Sequence, residues 1–408
     1  MNNNQQIALD NDGKSIWKFL FREMKPKGKY FTPFNVISVP IILIGFIIIL
    51  IRFWKGIGEV SNVNQDIPWG LWKGFNVVTG VAFAGGAYVL TFMVYILNVR
   101  KYHSIIRVTV LNGFLAYAFY AGALVLDLGR PWHIFNPIIG NSFGASSVLF
   151  LVAWHFLLYM VAQLIEFSPA AAEWIGARRA HKILSGMTMA AVIFGITLSM
   201  LHQSGLGALY LMAKEKIHPL WYSEFIPIMF LVSSIFAGLS MVIFEGSISH
   251  KVFFNQISEK NKQEHNEIIR GLSKICAGTM FAYFFLQLLI FVHKQQWDLL
   301  NTGMGQWFLL EMLGFVLLPM ILFYIAYRNN NITMIKVAAI ITILGVIMNR
   351  LNVSIIGFRW DAAVRYVPSW MEVIVAMSVI LTQIWIFRWV INRMPVLRDS
   401  PSWAIEHQ

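Results

Sequence analysis

Long apolar runs, separated by short polar segments, fill most of this chain. A helix that crosses a membrane needs about 20 mainly apolar residues. Runs of that kind, numbered here as spans 1 to 10 in chain order, are predicted at 35–56, 69–98, 104–127, 145–167, 181–202, 222–247, 267–293, 303–327, 332–350 and 369–392. The pattern predicts an all-α polytopic membrane protein.

Composition excludes a soluble protein. Of the 408 residues, 57% are apolar and 13% are charged, whereas soluble chains carry roughly 25% charged residues. No polar stretch is long enough for a soluble catalytic domain, so we expect any water-soluble chemistry to belong to partner chains.

The positions of the basic residues along the chain indicate what the net charge of +12 means. Lys and Arg concentrate in the short cytoplasmic loops of membrane proteins. If the N-terminus lies inside, about two thirds of the 32 Lys and Arg residues fall in cytoplasmic segments. The charge therefore predicts that both termini are cytoplasmic, and it is not a nucleic-acid-binding patch.

The single cysteine, Cys276, excludes several cofactor sites. Covalent haem, an iron–sulfur cluster or a disulfide framework each needs more cysteines. A b-type haem needs two imidazoles at one depth, but His155 is predicted about 15 Å below the outer boundary and His202 near it. We therefore predict no haem, no iron–sulfur cluster and no metal. The polar N-terminal segment lacks the apolar region of a signal peptide.

Three predicted junctions between loop and helix place polar groups at the outer boundary. Trp69 and Lys73, at the start of span 2, are four residues apart and share a helix face. Trp69 could be an interfacial anchor in a packing surface, or a wall of a ligand pocket.

At the end of span 3, Asp127 is followed by Arg130 and His133. A carboxylate beside hydrocarbon is a functional candidate unless it is paired. We expect Arg130, one turn on, to hold Asp127 ionised; the pair could also serve only to hold the loop.

Span 5 is predicted to end at His202 and Gln203, at the same depth. Segment 206–217, which contains Tyr210, could form an interfacial helix above them. His202 could instead be satisfied by a backbone carbonyl. A shallow apolar pocket with an acid, a histidine and amides suits a quinone head, whose reduction needs two protons.

A second polar line is predicted toward the inner side. His155, Tyr159 and Glu166 in span 4 lie at i, i+4 and i+11, close to one helix face. Glu245 ends span 6 on the same inner side, and Glu311 and Glu372 are further acids within the spans. Such groups relay protons or simply tie helices together, and the pattern leaves both interpretations open.

Several short blocks, in one order along the chain, carry a resemblance to a known family. They are Pro68-Trp69-Gly70, Asp127-Leu128-Gly129-Arg130, Glu166-Phe167, His202-Gln203-Ser204, His218-Pro219-Leu220-Trp221, Ile243-Phe244-Glu245-Gly246-Ser247 and Pro368-Ser369-Trp370-x-Glu372. With them the chain resembles the NrfD/polysulfide-reductase membrane-subunit family, and within it the branch of hydrogenase-2 integral membrane subunits (HybB, "b-type cytochrome subunit").

The resemblance implies two four-helix bundles, spans 2–5 and 6–9, with one flanking helix at each end. The predicted division of the chain is a cytoplasmic arm (1–34), span 1 with an outer loop (35–66), the first bundle on the quinone-site side (67–206), an outer interfacial segment (207–221), the second bundle (222–350), and an outer loop with span 10 and a cytoplasmic tail (351–408).

The resemblance also implies a function in the bacterial cytoplasmic membrane. Family members bind menaquinone or ubiquinone and exchange electrons with a periplasmic ferredoxin-like iron–sulfur subunit. That subunit serves a [NiFe]-hydrogenase, a molybdopterin enzyme or multihaem cytochromes. Asp127 and His202 match polar positions of the family's quinone and proton-path region, and Trp69 matches a motif at the pocket.

We therefore predict a quinone-reactive subunit of an oxidoreductase complex, most similar to the hydrogenase-2 type. Asp127 and His202 are the predicted catalytic groups. The predicted quinone-binding residues are Trp69, Lys73, Asp127, Arg130, His133, His202, Gln203 and Tyr210, and the predicted proton path is His155, Tyr159, Glu166 and Glu245. A secondary transporter, a channel and a passive membrane anchor are the alternatives.

Overall fold

The computed structural model describes residues 13–27, 29–65, 67–139 and 146–405. Within them, ten helices are long and apolar enough to cross a membrane, which confirms the predicted class and number of spans. Spans 1 to 10 are Pro33–Lys55, Trp72–Ile96, Arg100–Asp127, Val148–Ile175, Arg178–Lys216, Ile226–Val252, Asn261–Lys294, Gly303–Arg328, Ile332–Ile356 and Trp370–Ile391. Residues 1–12 of the predicted N-terminal arm lie outside the described residues, and Gly13–Glu23 forms a separate helix.

Several spans contain irregular helical turns. Widened π-helical segments, which are rare and frequently occur at functional sites, are Trp72–Gly80, Phe92–Ile96, Tyr117–Ala121, Leu310–Leu317 and Asn352–Ile356. A 3₁₀-helix over Leu209–Lys216 ends span 5, where a short interfacial helix is predicted.

Spans 1 and 10 pack against each other. Ser378 donates a hydrogen bond to the carbonyl of Ile41 (2.9 Å), and Trp385 Nε1 donates to Ser38 Oγ (2.9 Å). Most of the outer surface of span 1 is exposed and apolar, as a lipid-facing helix requires. The grouping of spans 2–5 and 6–9 into two bundles stays a prediction.

Span 2 is the most buried of the ten. Its Gly85 and Gly86 face Gly238 of span 6, and a Cβ atom on Gly238 would lie 1.9 Å from the backbone nitrogen of Gly86. Small residues allow such close helix crossings in membranes. Span 2 therefore contributes side chains to the interior of the protein along most of its length.

The described segments before span 1 and after span 10 lie on one side of the helices. Arg393, after span 10, donates hydrogen bonds to the carbonyls of Glu23 (2.5 Å) and Lys25 (2.7 Å), before span 1. We call this the terminal side and the other the opposite side. That the terminal side faces the cytoplasm stays a prediction from the distribution of charge.

Candidate functional site

A buried ion pair lies at the opposite-side end of spans 2 and 3. Lys73 Nζ is 2.6 Å from Asp127 Oδ2, and the carboxylate side chain is only 2% exposed. Lys73 also donates a hydrogen bond to the carbonyl of Pro68 (2.8 Å), the residue before Trp69. Because charges are costly to remove from water, the carboxylate depends on this partner.

The expected pairing of Asp127 with Arg130 is wrong. The helix ends at Asp127, and Leu128 is extended (φ −74°, ψ 125°). The three-residue spacing therefore no longer corresponds to a helical turn, and Arg130 is exposed on the loop. Arg52, which the sequence did not single out, holds this helix end instead by donating hydrogen bonds to the carbonyls of Leu126 (2.7 Å) and Leu128.

His133 also lies on the exposed loop that follows Asp127. Its Nδ1 is 2.6 Å from the side-chain nitrogen of Asn136. The structure thus brings Lys73 to Asp127, while Arg130 and His133 remain on the surface of the loop.

Aromatic rings form a wall beside the ion pair. The ring centroids of Trp69 and Tyr210 are 5.1 Å apart, Phe358 lies 6.4 Å from Trp69, and Phe230 lies 5.7 Å from Tyr210. Two backbone hydrogen bonds, from His218 to Gly357 (2.8 Å) and from Arg359 to Lys216 (2.6 Å), tie the segment after Tyr210 to the loop that carries Phe358. Trp69 and Tyr210 are therefore in contact, and their predicted role in quinone binding stays a prediction.

His202 and Gln203 lie deeper than expected. The α-helix of span 5 continues to Ala208, because Gly207 packs against the backbone of Ile226 and Pro227 rather than ending the helix. Gln203 donates a hydrogen bond to the carbonyl of Val81 (2.9 Å). Val81 lies inside span 2, beyond the π-helical turns Trp72–Gly80, whereas Trp69 precedes the helix, so these two residues do not share the depth of Trp69.

The buried ring of His202 has one nitrogen engaged and one without a partner. Its Nδ1 is 3.1 Å from the carbonyl of Val152. A carbonyl only accepts hydrogen bonds, so Nδ1 carries a proton and Nε2 of the neutral ring is an acceptor. Within the described part of the chain, Nε2 is buried without a hydrogen bond. The expected hydrogen bond to a backbone carbonyl is therefore present, but it engages only one of the two ring nitrogens of His202.

Aromatic side chains enclose this deeper histidine. Tyr117 and Phe156 lie 5.4 and 6.2 Å from the ring of His202 between centroids, and Tyr159 lies 4.7 Å from Tyr117. Gln163 donates a hydrogen bond to the hydroxyl of Tyr159 (3.1 Å). The polar groups here follow span 4 toward the terminal side, as the stripe of His155, Tyr159 and Glu166 predicts.

Glu166 borders the largest cleft described, of about 530 Å³. Arg398 and Ser400 near the C-terminus also border the cleft, which places it at the terminal side. We call it the vestibule. Glu245 lines two smaller cavities and accepts a hydrogen bond from Asn112 (2.5 Å). The two predicted path acids therefore border different spaces.

A buried polar network in spans 8 and 9 is not predicted from the sequence, although Glu311 is an expected intramembrane acid. Glu311 accepts hydrogen bonds from Trp221 (2.7 Å), Asn349 (2.6 Å) and Asn352 (2.6 Å). Arg350, 1% exposed, stacks its guanidinium 3.6 Å from the ring centroid of Phe230. Charged residues inside spans are themselves a signal of function, and Arg350 could have been found that way.

Glu372 stabilises the N-terminal end of span 10. It accepts hydrogen bonds from Tyr366 (2.5 Å), the backbone of Asn62 (3.1 Å) and the backbone of Ser369 (2.9 Å). Ser369 and Glu372 form a reciprocal capping box at the start of span 10. Both of its carboxylate oxygens accept hydrogen bonds within the fold, which favours a structural role.

Comparison with known proteins agrees with this architecture. Residues 59–359 match the family described as Polysulphide reductase, NrfD. The chain belongs to the NrfD family. The match covers spans 2 to 9, and the paired spans 1 and 10 lie outside it.

Three relatives cover most of the chain. A protein of Nitratidesulfovibrio vulgaris Hildenborough is 40% identical, covering 92% of this chain and 97% of its own length. The "Probable Ni/Fe-hydrogenase 2 b-type cytochrome subunit" of Escherichia coli K12 is 28% identical, covering 91% of this chain and 94% of its own length. The "Menaquinone reductase, integral membrane subunit" of the same N. vulgaris strain is 24% identical, covering 78% of this chain and 80% of its own length.

The words "b-type cytochrome" in one relative's name raise the question of haem. The free Nε2 of His202 is a suitable ligand type. However, Tyr117 and Phe156 pack around the ring at the distances given above, and they occupy the space that a porphyrin would need. The residues around His202 therefore do not fit a haem.

Proposed function

We propose that this NrfD-family chain is the quinone-reactive membrane subunit of a respiratory oxidoreductase in the bacterial cytoplasmic membrane. The relative named as a menaquinone reductase subunit supports the quinone. The E. coli relative, similar over 91% of this chain, supports a [NiFe]-hydrogenase-2 type of complex.

The observation that carries the proposal is the combination of contacting aromatic rings, Trp69 and Tyr210, with the Lys73–Asp127 ion pair at the opposite-side end of spans 2 and 3, which we call the mouth. A quinone head has an apolar ring and two carbonyls. The partly exposed Trp69, backed by the buried Tyr210, offers the surface for the ring, and the partly exposed ammonium of Lys73 offers a hydrogen bond to a carbonyl. Asp127 orients Lys73 and is the group that exchanges a proton at this mouth. Bound quinone supplies the redox chemistry, accepting two electrons and two protons.

His202 is assigned to proton transfer below the mouth rather than to contact with the quinone head. Its free Nε2 accepts a proton, and His155, Tyr159 and Glu166 follow one another along span 4 toward the vestibule, which Glu166 borders. Gln203 holds span 5 against span 2 through its bond to Val81.

Electrons come from, or go to, partner chains on the opposite side, where the mouth lies. The proposed partner is a periplasmic ferredoxin-like iron–sulfur subunit joined to a [NiFe]-hydrogenase, or otherwise to a molybdopterin or multihaem subunit. Subunits that co-purify with this chain identify the enzyme. The absence of haem stays a prediction, which an optical spectrum of the purified chain checks.

The purified complex tests the quinone site. With reduced benzyl viologen as donor and 2,3-dimethyl-1,4-naphthoquinone as acceptor, we expect Asp127→Asn to slow turnover at least about 100-fold, the scale of lost acid–base catalysis. Lys73→Gln should raise the KM for the quinone about tenfold, since it removes a charged hydrogen bond.

Arg130→Gln is the matched control, because Arg130 lies three residues from Asp127 and is exposed outside the pair. It should retain the wild-type rate. Wild-type turnover in Asp127→Asn, in complex that assembles normally, would remove Asp127 from the mechanism.

A further inference from the structure

Two histidines that the mechanism above does not use form a stacked pair near the terminal side. His250 ends span 6 and His265 begins span 7. Their ring centroids are 4.0 Å apart, with 14° between the planes. Neither Nε2 atom has a hydrogen-bonding partner within the described residues, and both atoms are buried. Buried imidazole nitrogens without a hydrogen bond are unusual unless they bind a ligand or a proton.

The pair lines a cavity that also contains Glu245. This cavity, about 70 Å³ in volume, is bordered by both histidines, Glu245 and Asn112. It has room for a few water molecules, and polar groups surround it on several sides. Water here would connect the imidazoles to the carboxylate.

The same cavity adjoins the vestibule. Ser104 and Asn261 border both spaces, and the hydroxyl of Ser104 is buried without a hydrogen bond to the described residues. The small cavity therefore lies between the vestibule and Glu245, with the histidine pair on its wall.

The charges around the pair are mixed. Lys262 of span 7 and Lys336 of span 9 act on it from the terminal side, while Glu245, on the same helix as His250, borders the same cavity. Lys262 is itself paired with Glu259 at 2.6 Å. Since two cations 4 Å apart repel strongly away from bulk water, the pair is suited to hold one proton at a time.

We propose that the His250–His265 pair passes protons from the vestibule to Glu245. A proton that enters from the vestibule past Ser104 and Asn261 is accepted from water in the small cavity by an imidazole nitrogen, and the imidazolium passes it, through water in the same cavity, to the carboxylate of Glu245. This inference rests on the proposed function, which consumes two protons for each quinone reduced. It adds a second branch that leaves the same vestibule beside the one at Glu166.

Proteoliposomes of the whole complex test this step. Reduced benzyl viologen supplies electrons to dimethylnaphthoquinone, and a pH dye reports proton uptake from the terminal side. We expect His250→Gln with His265→Gln to lower turnover and uptake at least about tenfold, while the Kd for the quinone, read from Trp fluorescence, stays unchanged. His293→Gln, an exposed histidine at the other end of span 7, should behave as wild type.

Chemical rescue separates proton transfer from packing. In His250→Ala, added imidazole should restore the lost rate, because it replaces the missing base. A slowed variant that imidazole does not restore would assign the pair a packing role and overturn the proposal. Wild-type rates in the double variant would overturn it too, and would leave the quinone site standing if Asp127→Asn remains slow. Failure of the wild-type complex to reduce quinone would instead reject the proposed function.

Discussion

At the scale of single residues, charges inside this protein are found with specific partners. Glu173 in span 4 is a clear case: Arg107 contacts both of its oxygens (2.7 and 2.8 Å), and His181 Nε2 is 3.1 Å from Oε1. The Glu173 side chain is fully buried, whereas that of Arg107 is 26% exposed. Such a cluster joins spans 3, 4 and 5 at the terminal side.

Removing the charge of Glu173 should destabilise the protein. Glu173→Gln leaves Arg107 without its anion, and breaking a buried pair in this way costs about 3 kcal/mol. Thermal unfolding in detergent measures the effect. Glu59→Gln, which breaks an exposed pair with Lys55, should change stability by less than about 1 kcal/mol. Equal melting temperatures for the two variants would contradict the argument.

At the scale of helices, small residues decide which spans meet. Gly238 of span 6 lies against Gly86 of span 2, whereas Gly278 of span 7 has open space where a side chain would begin. The two glycines are chemically identical, but only one is at a helix crossing. Their different surroundings make them a matched pair.

Adding one methyl group should therefore have opposite consequences at the two positions. Gly238→Ala forces the backbones of spans 2 and 6 apart, with an expected cost of about 1–3 kcal/mol for overpacking. Gly278→Ala should leave stability unchanged or slightly higher, because alanine favours helix. The yield of folded protein and its melting temperature in detergent measure both. A stable Gly238→Ala protein would show that the crossing can relax.

At the scale of the whole molecule, the orientation in the membrane determines which compartment supplies protons. The described segments before span 1 and after span 10 lie on one side, joined by Arg393, and the distribution of basic residues predicts that this side is cytoplasmic. The mouth with Trp69 and Asp127 would then face the periplasm, toward soluble electron-transfer partners.

Cysteine labelling tests this orientation. The chain has one cysteine, Cys276, which is buried, so a Cys276→Ser background is free of thiols. In that background, Arg130→Cys should react with a membrane-impermeant maleimide in intact spheroplasts. Lys25→Cys should react only after the membrane is opened. The reverse pattern would invert the assignment of compartments.

The local pattern of apolar and polar residues is sufficient to predict the ten spans and the acid Asp127 at the mouth. The ninth span, although the shortest apolar run, begins at the predicted residue 332. The helix face that the four-residue spacing of Trp69 and Lys73 predicts is not formed, because the helix begins after Trp69 and its first turns, Trp72–Gly80, are π-helical. The end of span 5 was predicted too early, since glycines that normally end helices here permit close packing with span 6.

The sequence by itself therefore determined the membrane class, the ten spans, the family and the acid at the mouth, because apolar length and short motifs are local. Only the tertiary structure decided that Lys73 rather than Arg130 pairs with Asp127, that His202 lies deeper than Trp69, and that His250 stacks on His265. These facts depend on how separate helices approach each other. A buried charge or imidazole selects its partner by three-dimensional distance, which spacing along one helix does not encode.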